Sequence, residues 1–444
     1  MKKIKNLSEG SFLKLFFGFI AVCFLVAAVC MPDREQMFSG LWNLLSQPSK
    51  ISTNYFSVGG YAATFLNMAL VCFLCLGLFL VFKGTPNNVS TLAVLLTTGF
   101  ASWGINILNI WPSVFGVMLY ALVKKEKLGG LVNAMLFSTG IAPLITDLMI
   151  RYPHTEVIGF NVPGVLLALV VGAIIGFFLP AGLAHSPKVH KGFDLYSAAL
   201  PIGMTAFLLN ATLFKTMGLD VNALTASGSM SVASQMTANI FCCTVFGLCI
   251  VFAFLLGCRP KDYWKLLTDP ELVTNFSSTY GNATFLMNVG VYGLFILGYY
   301  NLIGASFNGV TFGIIFCMLA CCNSGSHPGN VWPIMLGYAV ASTVCGWISP
   351  MLGGNFTLAI NAQAVCVGLC YANGLSPIAD KYGWQYGFIA AVLHYLLVTS
   401  VPALHGGFCL YNGGFTAALI CLILVPELEK FFKTKEERKA AKVQ

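Results

Sequence analysis

The sequence predicts an all-α integral membrane protein of about fourteen transmembrane segments, built as two inverted seven-segment repeats. Three observations predict it. The composition is that of a lipid-solvated chain. Apolar runs recur at near-spanning length. The second half of the chain repeats motifs of the first in the same order.

Hydrophobic residues make up 57% of the chain and charged residues 9%, with a mean hydropathy of +0.80. A soluble domain carries about 25% charged residues. The net charge of +8 is read as the bias of cytoplasmic loops toward Lys and Arg, so no nucleic-acid partner is expected. The 16 cysteines sit mostly inside apolar runs. Cys72 and Cys75 form a C-x-x-C motif there, without companion ligands. Neither a metal-binding motif nor a phosphate-cradling glycine loop is present, so no cofactor or metal is predicted.

The basic start, Met1 to Lys5, precedes an apolar run at 12–31. It resembles a signal peptide, but Val29 is bulky where a cleavage site needs a small residue. The run also has a counterpart near 235–257, so it is read as a retained first span. Further spans are expected near 60–82, 89–106, 111–123, 130–150, 162–184 and 193–214. The second set falls near 232–257, 281–303, 308–324, 331–349, 356–374, 384–404 and 408–426. Segment 111–123 reaches only about 20 Å against a hydrocarbon core of roughly 30 Å, so its Asn109 end is placed below the membrane surface. Asp194 and Pro201 weaken segment 193–214.

The repeat divides the chain into 1–228 and 229–444. Trp42-x-Leu44-Leu45-x-x-Pro48 matches Trp264-x-Leu266-Leu267-x-x-Pro270, and Thr53-Asn54 matches Thr274-Asn275. Gly60, Ala63-Thr64-Phe65-Leu66 and Asn67 match Gly281, Ala283-Thr284-Phe285-Leu286 and Asn288. Gly104 to Pro112, ending Asn109-Ile110-Trp111-Pro112, matches Gly325 to Pro333, ending Asn330-Val331-Trp332-Pro333. Gly140 to Pro143 with Asp147 is paired with Gly374 to Pro377 with Asp380. His190 to Tyr196 is paired with His405 to Tyr411. An odd number of spans per half inverts the second copy. Charge agrees: Lys124, Lys125, Lys127, Lys188 and Lys191 have no basic counterparts after Ser349 or Leu404. The chain end is basic, where the end of the first half has only Lys215. With both termini cytoplasmic, about twenty basic residues fall inside and about four outside. The expected location is the bacterial cytoplasmic membrane, with multiple passes.

The stretches Trp42 to Asn67, Gly104 to Pro112 and Leu410 to Ala417 resemble an uncharacterised bacterial polytopic membrane family, domain of unknown function 1576. The resemblance covers nearly the whole chain. It implies a membrane protein and carries no assigned activity. This chain has Ile105 where a Lys tends to follow Gly104 in that family.

Polar residues within spans mark the candidate path. An Asn at a helix start can cap free N–H groups, and Pro suits a first turn, so Asn109 and Asn330 are expected at helix starts with Trp111 and Trp332 beside them. His327 stands opposite Asn106 in the two turns. Asn67 and Asn288 lie deep in equivalent spans and are expected to face one shared central region. Tyr196, Tyr411 and Asn412 complete the set. Structural readings stand beside these: the turn as an interhelical connection, the Asn residues as interhelical glue, His394 as a packed histidine. Asp147 and Arg151 read as a boundary ion pair, and Asp194 as a helix-start carboxylate.

Little charge lies inside the spans, so the expected function is a transporter or channel for a small neutral or zwitterionic polar solute. In gross plan it resembles urea-channel-like proteins. The alternatives are a membrane-embedded enzyme and a scaffold subunit of a membrane complex. The lipid bilayer and a small solute are the expected partners, with homo-oligomerisation open.

Overall fold

The computed structural model describes residues 7–153, 158–219, 232–269 and 275–443. The described residues form helices and turns with no strand. In chain order the helices are α1 (Glu9–Cys30), α2 (Met37–Ser46), α3 (Tyr55–Gly59), α4 (Tyr61–Val81), α5 (Asn88–Phe100), α6 (Trp111–Lys124), α7 (Val132–Ser138) and α8 (Ala142–Arg151). They continue as α9 (Val162–His190), α10 (Ala199–Leu209), α11 (Val232–Leu255), α12 (Pro260–Thr268), α13 (Phe276–Tyr280), α14 (Asn282–Leu302) and α15 (Gly309–Leu319). The chain closes with α16 (Pro328–Met351), α17 (Gln363–Ala372), α18 (Ser376–Tyr382), α19 (Trp384–Val398), α20 (Val401–Leu404), α21 (Asn412–Phe431) and α22 (Lys435–Val443).

Seven helical stretches among the described residues are long and apolar enough to cross a membrane. They are Glu9–Cys30, Tyr61–Val81, Val132–Arg151, Val162–His190, Ser234–Leu255, Asn282–Leu302 and Pro328–Met351. The protein is therefore a multi-pass, all-α membrane protein. Several expected spans are shorter or broken. Helix α5 ends at Phe100 rather than near 106, and α15 gives way to a 3₁₀ turn after Leu319. Segments 132–151 and 363–382 each break into two short helices at a 3₁₀ turn, at Thr139–Ile141 and Asn373–Leu375. A proline opens the second helix of each pair, Pro143 or Pro377, and lacks the N–H that would continue the ladder. Pro270 and Thr274 of the paired motifs, and the 228/229 boundary, lie outside the described residues.

Helix pairings recur in the two halves. Helix α1 packs along α4 as α11 packs along α14, and α6 along α9 as α16 along α19. The α6–α9 pair is close because its seam is glycine. A Cβ on Gly176 would lie 1.9 Å from the Ser113 carbonyl oxygen, and one on Gly116 would lie 2.3 Å from that of Ala173. Small residues let two backbones approach in a setting where lipid offers no hydrophobic drive for helix association. Between the halves, α5 crosses α15 in the same way: a Cβ on Gly99 would sit 2.6 Å from Cys317 Sγ.

Gly176→Val is expected to separate α6 from α9 and to destabilise by more than the roughly 1–3 kcal/mol of ordinary overpacking, because the clash is with backbone. Gly298→Ala, with open space around it, is the control. Thermal unfolding of the purified variants in one detergent compares them.

Candidate functional site

The two Asn-x-Trp-Pro turns are where helical backbone is interrupted, and each is closed by an asparagine from a neighbouring helix. Asn67 on α4 donates its amide to the carbonyls of Ala101 (2.7 Å) and Ile105 (2.8 Å). Asn288 on α14 donates to Cys322 (2.8 Å) and Ser326 (3.0 Å), at the same sequence separations. Both side chains are fully buried. The shared central region expected of this pair does not form. Each amide NH2 donates within its own half, to carbonyls of the turn that follows the interrupted helix; Asn288 Oδ1 accepts from Tyr263 Oη at 3.1 Å, while Asn67 Oδ1 has no partner among the described residues.

Asn109 and Asn330 also differ from expectation. Neither is the residue that caps its helix. Helix α6 begins after Ile110 with no side-chain cap, while Asn330 lies inside α16, which starts two residues earlier at Pro328. Each reaches backward instead. Asn109 accepts from the Asn106 N–H (2.9 Å) and donates to the Gly104 carbonyl and Thr146 Oγ1, both at 2.9 Å. Asn330 accepts from the His327 N–H (3.0 Å) and donates to the Gly325 carbonyl (2.7 Å) and Asp380 Oδ2 (2.6 Å). The residue matching Asp380 is therefore Thr146, one position before the expected Asp147. Asp147 instead faces Arg151, 3.5 Å away, as its i,i+4 spacing implies.

His327 does the work of Asn106 with different chemistry. Asn106 Oδ1 accepts from the Leu108 N–H at 2.9 Å, and His327 Nδ1 accepts from the Gly329 N–H at 3.1 Å. Each is an acceptor two residues before the N–H it holds. His394 is also satisfied. Nε2 must donate to the Gly413 carbonyl (2.9 Å), so Nδ1 accepts from Tyr338 Oη (2.6 Å).

Tyr196 and Tyr411 each pack across the seam between the halves, on either side of Tyr371. The Leu195 N–H donates to the Gly374 carbonyl (3.0 Å), and the Leu410 N–H to the Gly140 carbonyl (2.8 Å). A Cβ on Gly374 would strike the Tyr196 ring at 2.6 Å, and one on Gly140 the Tyr411 ring at 2.2 Å. Tyr196 Oη donates into the other half, within reach of the Cys317 (2.9 Å) and Cys370 (3.1 Å) carbonyls. Asn412, the first residue of α21, is buried beside this contact.

A cavity of about 570 Å³ opens next to that seam. Helix α5 contributes Asn88 and Leu92, α7 Asn133 and Phe137, α9 Leu183, Pro187 and His190, and the following turn Asp194 and Ser197; Ser324 comes from the second half. Asp194 is not a helix-start cap, since α10 begins at Ala199. Its Oδ1 accepts from the Tyr196 N–H at 2.9 Å, while its buried Oδ2 has no partner among the described residues. His190 Nδ1 faces the Asp194 N–H (3.4 Å), so Nε2–H donates to Ser197 Oγ (2.8 Å).

A second cavity of about 410 Å³ lies at the second turn. It is lined by Asn330, Trp332, Asp380 and Trp384, and by Lys435 and Arg438 of α22. Arg438 donates to the Tyr382 carbonyl, which ties the basic end of the chain to α18. Trp332 and Trp384 lie 5.8 Å apart, ring to ring. Trp111 packs on Phe115 instead. The expected path residues thus divide among the two turns, the seam and this second cavity.

Sequence reasoning missed the larger cavity. Its available signals were the cost of Asp194 within an apolar stretch and Ser197, which stands opposite Asn412 in the repeat; Asn133 carries none.

A family model described as protein of unknown function (DUF1576) matches residues 33–215 and 259–430. The chain belongs to this family. It is also similar to the NADH-quinone oxidoreductase subunit N of Acinetobacter baumannii (strain AB0057), 27% identical over 186 residues. That similarity covers 39% of this chain, and the chain spans only 36% of the relative's length. No solved structure matches.

Asn67→Leu and Asn288→Leu are each expected to destabilise by roughly 2–6 kcal/mol, since two buried carbonyls lose their donor at about 1–3 kcal/mol each. A shift in the thermal midpoint with residual activity in the folded fraction fits this role. Unchanged stability with lost activity would contradict it.

Proposed function

We propose that the protein is a transporter or channel for a small polar solute, moving it between two inverted seven-segment halves, 1–228 and 229–444. The observation that carries this reading is the reciprocal seam. Leu195 bonds Gly374 as Leu410 bonds Gly140, and each half's tyrosine packs on the other half's glycine. Contacts exchanged in this way are what a twofold relation between halves produces. The family match supports it, falling once in each half. So does the larger cavity, which lies beside the interrupted helix α5 and takes lining from both halves.

With the N-terminus cytoplasmic, both cavities open on the cytoplasmic face, near Lys188 and Lys191 for one and Lys435 and Arg438 for the other. On the opposite face the start of α15 is tied to α17, Asn308 donating to Gln363 Oε1 at 2.6 Å. This is an inward-open arrangement in the proposed orientation. Movement of one half against the other would close one face and open the other.

The similarity to an NADH-quinone oxidoreductase subunit N favours a second reading, a subunit of a membrane oxidoreductase complex. Purification from native membranes in mild detergent separates the two: a lone chain or homo-oligomer supports transport, a stoichiometric complex with redox subunits supports the alternative.

Two measurements test the proposal. Single cysteines placed at Pro153 and Ala440, in a background without accessible native cysteines, should label from opposite sides of the membrane. Labelling of both from one side removes the inversion. Purified protein in liposomes should accumulate or release a small polar solute faster than empty liposomes. Equal rates across a solute panel remove the transport reading.

A further inference from the structure

We infer that the protein holds an acidic phospholipid at the end of the bundle where α1 and α14 begin and α11 ends. Its phosphate sits in a polar cavity at the start of α14, beside Lys265, and one acyl chain lies in the groove between α1 and α11. This stands apart from the transport reading. The repeat supplies the comparison. Helices α4 and α14 both start after a glycine of positive φ, Gly60 (+86°) and Gly281 (+87°). At α4 the chain supplies its own anion. The Asp33 carboxylate accepts from the N–H groups of the first two residues, Tyr61 (2.7 Å) and Ala62 (3.1 Å). A Cβ on Gly60 would lie 2.4 Å from Asp33 Oδ2, whereas one on Gly281 would meet nothing within 4 Å. Among the described residues no carboxylate accepts from the start of α14. A cavity of about 360 Å³ lies there instead, lined by Gly281, Asn282, Ala283, Thr284 and Lys265. Free N–H groups at the positive end of a helix dipole, next to a cation, suit an oxyanion.

The apolar surroundings show the same contrast. At the end where α4 begins, the helices close on one another. Phe24 of α1 stacks on Phe241 of α11 at 4.9 Å, and Tyr61 Oη lies 2.7 Å from Ser234 Oγ. At the end where α14 begins, α1 and α11 part beyond the contact of Phe19 with Phe252 (5.7 Å). They leave a groove of about 290 Å³ lined by Phe12, Leu15, Phe16, Leu255 and Leu286. Phe12 to Phe19 covers about 10 Å along α1, at 1.5 Å per residue. Leu256 lines both the groove and the polar cavity, so the places for head and tail are continuous. Charge selects the head group. Asp262 is the one carboxylate of the polar cavity, and the Arg259 guanidinium holds it at 2.9 and 3.0 Å. Lys265 is the cation left to the ligand. A choline or ethanolamine ammonium would find no free carboxylate there. Trp264, beside Lys265 on α12, is 67% exposed, which suits an indole at the level of lipid head groups. In the proposed orientation the lipid belongs to the cytoplasmic leaflet, where basic pockets meet acidic head groups.

Native mass spectrometry of the purified full-length protein in detergent tests this. The protein is titrated with dioleoylphosphatidylglycerol, dioleoylphosphatidylcholine or inorganic phosphate. One molecule of phosphatidylglycerol should bind at least tenfold more tightly than phosphatidylcholine, and an equal concentration of phosphate should not displace it. Lys265→Gln should remove the preference. Lys261→Gln, on the same helix but outside the cavity, should keep it. Leu255→Trp, placed at an exposed edge of the groove, should weaken phosphatidylglycerol binding at least tenfold. Equal affinity for the two lipids overturns the inference, as does an equal effect of the two lysine variants, which would mean attraction by surface charge alone. Unchanged binding in Leu255→Trp removes the groove from the site and overturns it too. Displacement of the lipid by phosphate shows a site for a soluble anion and overturns the lipid assignment. If Leu255→Trp does not fold, the lipid series and the lysine pair decide.

Discussion

Interrupted helices inside an apolar body set the constraint on which this structure depends. In hydrocarbon or in a packed core, a carbonyl freed from its helix has no water to turn to. Helices α5 and α15 both stop short, and carbonyls of the turns that follow, at Ala101, Ile105, Cys322 and Ser326, need a donor from elsewhere. One asparagine per half meets that demand, Asn67 for the first turn and Asn288 for the second. The turns then complete themselves with Asn109 and Asn330, which reach back over the unwound backbone. The polar residues that looked like a solute path are thus mostly the means by which the interrupted helices hold their shape.

With α5 and α15 short, their glycine faces come together and bring the halves into contact at Gly99 and Gly313. The seam is finished by the turns before α10 and α21. Each places a backbone N–H and a tyrosine ring on a glycine of the opposite half. A side chain at either glycine would fill the space that the ring occupies. The turn that bears Asp194 is consequently held by both halves, which is why a carboxylate can be kept buried at their boundary.

The two halves are alike in scaffold and unlike in chemistry. Cys409 stands where Asp194 would recur, and Asp380 stands where Thr146 does. His327 replaces Asn106 while keeping its acceptor role. The scaffold positions are bound by backbone satisfaction and close packing, so they repeat. The positions facing the cavities are not bound in this way, and there the two halves differ.

Composition and apolar run length by themselves determined the membrane class and the helical content, because lipid leaves a backbone few other choices. The ordered repetition of Asn67, Gly104 to Pro112 and Tyr196 marked the positions that matter to the scaffold. What those residues do was decided only in three dimensions. An amide deep in a span has the same sequence signature whether it meets a solute or a carbonyl, and the partners of Asn67 lie 34 and 38 residues away. The one-residue shift between Asp147 and Thr146 was legible by counting, since Asp380 is three residues past Pro377 and Thr146 three past Pro143; the bond from Asn109 shows what that position does. The cavity at Asp194 could not be read from the chain, since its walls come from four segments of the first half and one residue of the second. A free carboxylate oxygen is a property of what surrounds it, and the surroundings exist only once the halves have closed on each other.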